Sequence, residues 1–214
     1  MQIQDYIDHT LLKPTATIAA IEKLCKEARE HKFYAVCFNS CYTKHAKDHL
    51  RASRVKLAIV IGFPLGAMST EAKIFEAQNA VANGADEIDM VINVGWLKSA
   101  KFDWVQKEIS SIKKAIGKKV LKVIIETCYL NKEEKIKACE LAIMAGADFV
   151  KTSTGFGGGG ATLDDVKLMK ETVGNKARIK ASGGIKDRET ALEYIALGVS
   201  RIGTSSGIAI VSKA

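Results

Sequence analysis

Residues 147–160 of this sequence read Ala-Asp-Phe-Val-Lys-Thr-Ser-Thr-Gly-Phe-Gly-Gly-Gly-Gly. Phe149 and Val150 favour a β-strand, and the glycine run cannot hold regular structure but lets a ligand approach the backbone closely. Successive side chains of a strand point to opposite faces, so Phe149, Lys151 and Ser153 share one face. Two interpretations of Lys151 are open: a lysine that reaches solvent where the strand ends, or a buried amine whose lowered pKa makes it a nucleophile.

Seven other segments also have the composition of short strands, and a helical stretch with a 3.6-residue period follows each. They recur at roughly the length of one strand–turn–helix unit. With the first stretch included, the predicted strands are residues 6–11, 35–38, 56–61, 87–92, 121–126, 149–152, 178–181 and 200–202.

The helical stretches carry start and stop signals. Thr15 or Thr17 can cap the first helix. Gly84, Gly146 and Gly198 stand where helices should end, and each opens a similar phrase, Gly-Ala-Asp twice and then Gly-Val-Ser. This weak internal repeat favours a chain built from repeated units.

Polar residues fall on one face of several predicted strands, and the opposite face stays apolar. An open parallel sheet covered by helices on both sides should be apolar throughout, whereas a closed barrel can hold a charged site inside. We therefore predict a (β/α)₈ barrel, one domain over residues 1–214, in preference to an open doubly wound sheet. The polar faces are Asp89, Val91 and Asn93 in the fourth strand, Lys122, Ile124 and Glu126 in the fifth, and Lys180 and Ser182 in the seventh.

The composition limits the partners. Lys and Arg number 32 against 24 Asp and Glu, a net charge of +8, which suits nucleic acid, an acidic membrane or an anionic substrate. The sequence has no arginine-rich run, no signal peptide and no apolar run of membrane-spanning length. The five cysteines lack Cys-x-x-Cys spacing, which favours reduced thiols. We expect a cytoplasmic protein that binds an anionic small molecule, not nucleic acid or a membrane.

The ends of the predicted strands should be considered together, because active sites of such barrels lie at the C-terminal ends of the strands. They contribute Asp89, Lys151 and Lys180. Glycine-bearing turns follow strands six, seven and eight, and turns of this kind after strands seven and eight usually bind phosphate, although plain tight turns are the alternative. The predicted phosphate and substrate ligands are Gly155, Gly183, Gly184, Gly203, Ser205 and Ser206.

Two lysines and a carboxylate beside a phosphate site indicate imine chemistry. One amine attacks a carbonyl, the second ammonium lowers the pKa of the first, and the carboxylate relays protons. For Lys151, this context favours the buried nucleophile.

Six phrases occur in order along nearly the whole chain: Asp-His-Thr-Leu-Leu-Lys-Pro at 8–14, Val-Ile-Gly-Phe-Pro-Leu-Gly at 60–66, Glu-Ile-Asp-Met-Val-Ile-Asn-Val-Gly at 87–95, Lys-Thr-Ser-Thr-Gly-Phe at 151–156, Lys-Ala-Ser-Gly-Gly at 180–184 and Ile-Gly-Thr-Ser-Ser at 202–206. Together they resemble the deoxyribose-phosphate aldolase family, a family of class I aldolases.

The resemblance implies reversible cleavage of 2-deoxy-D-ribose 5-phosphate to D-glyceraldehyde 3-phosphate and acetaldehyde. It implies that Lys151 forms the Schiff base and that Asp89 and Lys180 take part in proton transfer, without a metal or an organic cofactor. We also expect a homo-oligomer, either a dimer or a tetramer. Some family members carry a tyrosine near a longer C-terminus, and what takes its place here is open.

A metal is the alternative for Cys37, Cys41, His45 and His49, which are spaced by four residues. All four histidines precede residue 50, whereas a catalytic metal in a barrel takes ligands from several strands. We therefore predict no metal here, but core thiols and surface imidazoles. Cys37 ends the second strand and can line the pocket without reacting.

Three other side chains are assigned structural roles. Asp8 is expected near the barrel mouth or in a buried network. Trp96 and Trp104 flank a polar loop after strand four, where packing or subunit contact is favoured over substrate stacking.

Two other functions remain open for this sequence. A transaldolase-like transferase would also form an imine, and acetaldehyde as the sole small product would argue against it. A phosphosugar-binding barrel without activity would show ligand-dependent thermal stabilisation without turnover.

Overall fold

Eight parallel strands, hydrogen-bonded in chain order, close into a barrel in the computed structural model, which describes residues 2–212. A helix follows every strand, the helices after the first seven strands return the chain to the start of the next one, and two helices follow the fourth strand. The (β/α)₈ fold predicted from the polar strand faces is confirmed, and the alternative of an open sheet is wrong.

The observed elements lie close to the predicted ones, and Thr17 rather than Thr15 caps the first helix by accepting the N–H of Ala20 at 3.2 Å. None of the helices between residues 2 and 212 is both long and apolar enough to cross a membrane. The strands are β1 (Ile7–Leu11), β2 (Ala35–Asn39), β3 (Lys56–Ile61), β4 (Glu87–Val91), β5 (Val120–Ile124), β6 (Phe149–Lys151), β7 (Arg178–Ser182) and β8 (Arg201–Thr204). The helices are α1 (Ile18–Glu30), α2 (Thr43–His49), α3 (Thr70–Ala82), α4 (Val94–Lys98), α5 (Phe102–Ile116), α6 (Lys132–Met144), α7 (Leu163–Val173), α8 (Arg188–Ala196) and α9 (Gly207–Val211). Single 3₁₀ turns cover Ile3–Tyr6, Ser40–Tyr42 and Thr127–Tyr129.

The helix ends explain the internal repeat of the sequence. Gly84, Gly146 and Gly198 follow α3, α6 and α8 with φ angles of 107°, 82° and 87°, which favour glycine. The next residue in each phrase donates its N–H to a carbonyl five residues earlier and so closes the helix. These bonds join Ala85 to Ala80 at 3.0 Å, Ala147 to Ala142 at 3.0 Å and Val199 to Tyr194 at 3.2 Å.

The strands present different chemistry on their two sides. Their outward-facing side chains, such as Ile88 and Met90, pack with the buried faces of the helices in the main hydrophobic core. Inside the barrel, the side chains from β2 and β3 are apolar, whereas those from β4 to β8 and from β1 include most of the buried charges. The apolar cluster inside the barrel consists of Leu12, Cys37, Ala58 and Val60.

Candidate active site

The three predicted catalytic side chains meet inside the barrel. β6 and β7 are neighbours, and their register pairs Lys151 with Lys180. Lys151 Nζ donates to Asp89 Oδ2 at 2.9 Å, and Lys180 Nζ donates to the same oxygen at 2.8 Å. The strand alternation predicted from the sequence therefore places these groups on the same inward side, although β4 is not adjacent to β6 or β7.

A wider network of buried charges surrounds this trio. Lys122 Nζ lies 2.7 Å from Asp89 Oδ1 and 2.5 Å from Glu87 Oε2. Lys180 Nζ also lies 2.5 Å from Asp8 Oδ2. Arg201 lies 2.5 Å from both Asp8 Oδ1 and Glu87 Oε1, and its guanidinium stacks 3.3 Å above the centre of the Tyr34 ring. Each of the three carboxylates therefore has at least two cationic neighbours.

The network shifts the pKa values of Lys151 and Lys180 in opposite directions. Burial lowers the pKa of Lys151, the Asp89 carboxylate opposes this, and the Lys180 charge lowers the pKa further; the net direction is below the usual value. Burial also acts to lower the pKa of Lys180, but the carboxylates of Asp8 and Asp89 outweigh it and raise the pKa above the usual range. Lys180 is therefore the fixed cation, and Lys151 is the amine that can lose its proton.

The carboxylates of Asp8 and Asp89 stay ionised. Burial acts to raise the pKa of Asp89, but the charges of Lys122, Lys151 and Lys180 outweigh it and hold the pKa well below the usual value. The pKa of Asp8 is lowered for the same kind of reason, because Arg201 and Lys180 outweigh the cost of burial. Asp89 is thus an anion that lies against the Lys151 amine.

Lys151 is the member of the trio that faces the solvent-accessible side. It lines a cavity of about 360 Å³ at the C-terminal ends of the strands, whereas Asp89 and Lys180 are fully buried beneath it. The same cavity is lined by the turns after β6, β7 and β8, through Gly155, Gly183, Gly184, Gly203 and Ser205. The amine and the predicted phosphate ligands therefore share one cavity.

The turns offer free donors to an anion in this cavity. Gly184 and Ser205 donate no backbone hydrogen bond to any other residue among 2–212. Lys186 and Lys13, which are exposed, add cationic side chains to the cavity wall. Ser206, a predicted phosphate ligand, does not line this cavity. Its N–H donates to Thr204 Oγ1 at 2.9 Å.

Two positions next to the site leave no room for a side chain and are occupied by glycine. A Cβ on Gly203 would lie 3.0 Å from Lys180 Cε and 2.9 Å from Ser182 Cβ, so the missing side chain makes room for the buried lysine. A Cβ on Gly160 would lie 2.3 Å from the carbonyl oxygen of Gly183, where the loop after β6 crosses the turn after β7. Both are close backbone approaches that only glycine permits.

Glu126 departs from the predicted alternation. The expected fifth strand ran to residue 126, but β5 ends at Ile124 and Glu126 has a φ of 53° in the left-handed region. Its buried carboxylate accepts the Thr154 N–H at 3.2 Å and the Thr154 hydroxyl. Glu126 therefore holds the loop that follows Lys151.

The remaining residues singled out in the sequence have other surroundings. Asp8 lies in the buried network, one of the two places expected for it. Cys37 is buried in the apolar part of the barrel interior, and burial raises the pKa of its thiol. Trp96 lies on α4 and Trp104 on α5, with ring centres 5.5 Å apart in an edge-to-face contact. The segment between them is thus largely helical rather than a loop.

Sequence reasoning did not identify the roles of Glu87, Lys122 and Arg201 in the network, nor Lys13 and Lys186 at the cavity. A signal existed for the first three. Glu87 lies two residues before Asp89 and shares its face, Lys122 was placed on the polar face of its strand, and Arg201 lies within the predicted eighth strand. What the sequence could not supply is the partner of each charge across the barrel.

Comparisons with known proteins find aldolases that are similar to this chain over nearly its whole length. A family model described as DeoC/LacD family aldolase matches residues 3–213. A deoxyribose-phosphate aldolase of Finegoldia magna is 59% identical over 211 residues, which cover 99% of this chain and 99% of the relative.

Solved structures show the same similarity. A protein described as QR15, an aldolase, is 47% identical with a TM-score of 0.94, and the match covers 98% of this chain and 94% of that one. A deoxyribose phosphate aldolase from Aeropyrum pernix, described as having a unique tetrameric structure, is 32% identical with a TM-score of 0.89, covering 98% of this chain and 89% of that one.

Proposed function

This chain belongs to the DeoC/LacD family of aldolases, and on that premise we propose how its own residues carry out the reaction. The protein is a class I aldolase, a carbon–carbon lyase that reversibly cleaves 2-deoxy-D-ribose 5-phosphate to D-glyceraldehyde 3-phosphate and acetaldehyde. The observation that carries the assignment of roles is the position of Lys151. Its amine lies against Asp89 at the inner end of the cavity whose wall contains the three glycine turns.

Lys151 acts as the nucleophile. In its neutral form it attacks the C1 aldehyde of the open-chain sugar, and the hydroxyl of the adduct takes up a proton and leaves as water to give a protonated imine. The bond between C2 and C3 then breaks, and its electron pair moves towards the imine nitrogen to give a neutral enamine. Loss of the C3 hydroxyl proton completes D-glyceraldehyde 3-phosphate. Protonation of the enamine at C2 and hydrolysis of the imine release acetaldehyde and the free amine.

Asp89 and Lys180 move the protons. Through a water molecule and together with Lys180, Asp89 takes the proton of the C3 hydroxyl and later returns one to the enamine carbon. Two contacts support this role: Asp89 Oδ2 lies 2.9 Å from the reacting amine and 2.8 Å from Lys180 Nζ. A group next to the reacting nitrogen is well placed for proton exchange at C1 and C2.

The nucleophile can be tested by trapping. Sodium borohydride added with acetaldehyde should leave a two-carbon adduct on Lys151, identified by peptide mass mapping. Lys151→Ala should abolish both the adduct and the turnover. An adduct on Lys180 or Lys122 in the wild-type protein, with Lys151 unmodified, would contradict the assignment.

The substrate phosphate binds between the turns after β7 and β8. The backbone N–H groups of Gly184 and Ser205 and the side chain of Lys186 support this placement, because they present donors and a cation to the same cavity as Lys151. Gly155, Gly183, Gly203 and the hydroxyls of Ser205 and Ser206 complete the proposed set, with Ser206 acting from outside the lining.

Ser205→Asp tests this placement, because it sets a carboxylate against a phosphate dianion. It should raise KM for the phosphorylated sugar far more than KM for unphosphorylated 2-deoxyribose. Ser205→Ala is the matched control and should have a small effect on both. Equal losses on the two substrates would place the phosphate elsewhere.

The chain also forms a homo-oligomer, either a dimer or a tetramer, and works in the cytoplasm. The Aeropyrum pernix relative is described as a tetramer, and Phe75 and Leu65 are large apolar side chains that are 71% and 78% exposed here.

The five unpaired cysteines suit a reducing compartment. Sedimentation velocity tests the first statement and cell fractionation the second; a single monomeric species, or recovery of the protein outside the cytoplasm, would refute them.

A further inference from the structure

Two histidines and a glutamate come together on the outer face of the barrel. His45 and His49 lie one turn apart on α2, so both imidazoles are on the same side of the helix. Glu22 comes from the neighbouring helix α1. Nε2 of His45 lies 2.9 Å from Glu22 Oε1, and Nε2 of His49 lies 3.4 Å from the same oxygen.

The spacing of these three atoms is that of a metal coordination shell. One ligand atom from each residue lies within 4.8 Å of the others. Zinc bonds of roughly 2.0–2.1 Å to nitrogen and oxygen in a tetrahedron place neighbouring ligand atoms roughly 3.3–3.5 Å apart. Small side-chain rotations are therefore sufficient to bring all three atoms onto one ion.

The site is also accessible and has suitable donors. The side chains of Glu22, His45 and His49 are 42%, 37% and 42% exposed, so a hydrated ion can reach them and keep water as its fourth ligand. Imidazole and carboxylate together are a common zinc donor set. The carboxylates inside the barrel differ, because Asp8, Glu87 and Asp89 are each already paired with lysine or arginine.

We propose that Glu22, His45 and His49 form a Zn²⁺ site that links α1 to α2. None of the three lines the cavity that contains Lys151, so the ion has no part in the aldol reaction. Because the unfolded chain does not assemble the site, zinc binds the folded state preferentially and stabilises it. The sequence predicted surface imidazoles without a metal, because a catalytic metal in a barrel takes ligands from several strands; the site proposed here is not catalytic and takes its third ligand from α1.

The test is a zinc titration of the full-length protein after removal of metals with a chelator. Isothermal titration calorimetry should show one zinc ion per chain at this site, and the melting temperature should rise with zinc concentration. His45→Gln and His49→Gln should each weaken binding by at least the roughly 10- to 100-fold that losing a supporting group of a metal site costs. Both side chains are partly exposed, and circular dichroism can confirm that the variants fold.

His31→Gln is the matched control. His31 lies at the C-terminal end of α1, where its ring stacks on Phe33 at 5.5 Å, away from the cluster of zinc ligands. This variant should bind zinc as the wild type does, and the rate of acetaldehyde release should be the same with and without zinc in all proteins. The absence of saturable binding, or equal affinity in His49→Gln and His31→Gln, would overturn the proposal.

Discussion

Replacement of Lys180 by methionine removes an ammonium group that lies 2.8 Å from Asp89 and 2.5 Å from Asp8. Methionine fills a similar volume without a charge. We expect the pKa of Lys151 to rise in this variant for two reasons. A positive neighbour is lost, and Asp89, which now has fewer cationic partners, favours protonated Lys151 more strongly.

The size of the effect follows from the geometry. Both amines lie within 2.9 Å of the same Asp89 oxygen, so their nitrogens are at most about 6 Å apart. At an effective dielectric constant of about 20, two like charges at that distance repel by about 3 kcal/mol. The loss of this repulsion should raise the pKa of Lys151, and about 1.4 kcal/mol corresponds to a tenfold change in the protonation equilibrium. Below both pKa values, the neutral fraction of Lys151 then falls about 100-fold.

The assay is the rate of borohydride-trapped imine formation with acetaldehyde, followed by mass spectrometry across a pH series. Lys180→Met should shift the profile to higher pH, and it should also slow turnover at every pH because Asp89 loses its proton-transfer partner. Lys180→Arg keeps the positive charge and should keep the pH profile close to that of the wild type. A profile for Lys180→Met that matches the wild type, in a protein shown to be folded, would mean that burial alone lowers the pKa of Lys151.

Two further outcomes follow from the same network. Asp8→Asn should lower the free energy of unfolding at pH 7 by about 3–5 kcal/mol, because Lys180 and Arg201 lose a buried partner. The pKa of Asp8 is lower in the folded protein, so its stabilising contribution is present above the unfolded value of about 3.9 and is lost as pH falls. In urea unfolding, the difference in free energy of unfolding between the wild type and Asp8→Asn should therefore be smaller at pH 3 than at pH 7. An equal difference at the two pH values would refute this. Dialysis against EDTA should leave turnover unchanged, because the imine and not a metal accepts the electron pair; a loss of activity restored by zinc would argue against this mechanism.

The fold could be predicted from the sequence because several local signals agree. The helix stops at Gly84, Gly146 and Gly198 mark the repeated units, and the one-sided polarity of the strands favours a closed barrel over an open sheet. The prediction was wrong where the backbone leaves the alternation. Glu126 continues an apparent strand in the sequence, yet its left-handed φ turns it towards Thr154. The sequence around Glu126 does not indicate this turn, because the contact that explains it is made with Thr154, which follows a different strand.

The residues of the candidate site could be predicted from the sequence, but the ion pairs between them could not. Lys151, Lys180 and Asp89 could be grouped because each lies in a predicted strand, on the face expected to point into the barrel. The pairing of Glu87 with Arg201, 2.5 Å apart across the barrel, could not be predicted, because the two residues lie at the starts of strands that are not neighbours. Pairings between residues 114 positions apart in the chain depend on barrel closure, which fixes which strand ends face one another.

The charge balance inside the barrel connects this network to the reaction. With Lys151 neutral, three cations match three carboxylates, and a proton on Lys151 would add one uncompensated buried charge, which costs free energy. We infer that the same cost acts on the protonated imine, which carries that extra charge until the electrons of the C2–C3 bond neutralise it as the enamine forms. The network thus favours the neutral amine before attack and, after imine formation, the movement of the C2–C3 electron pair that gives the neutral enamine. Lys180→Met reverses this balance, since one cation fewer makes protonated Lys151 the electrically matched state. The matched groups are Asp8, Glu87 and Asp89 with Lys122, Lys180 and Arg201.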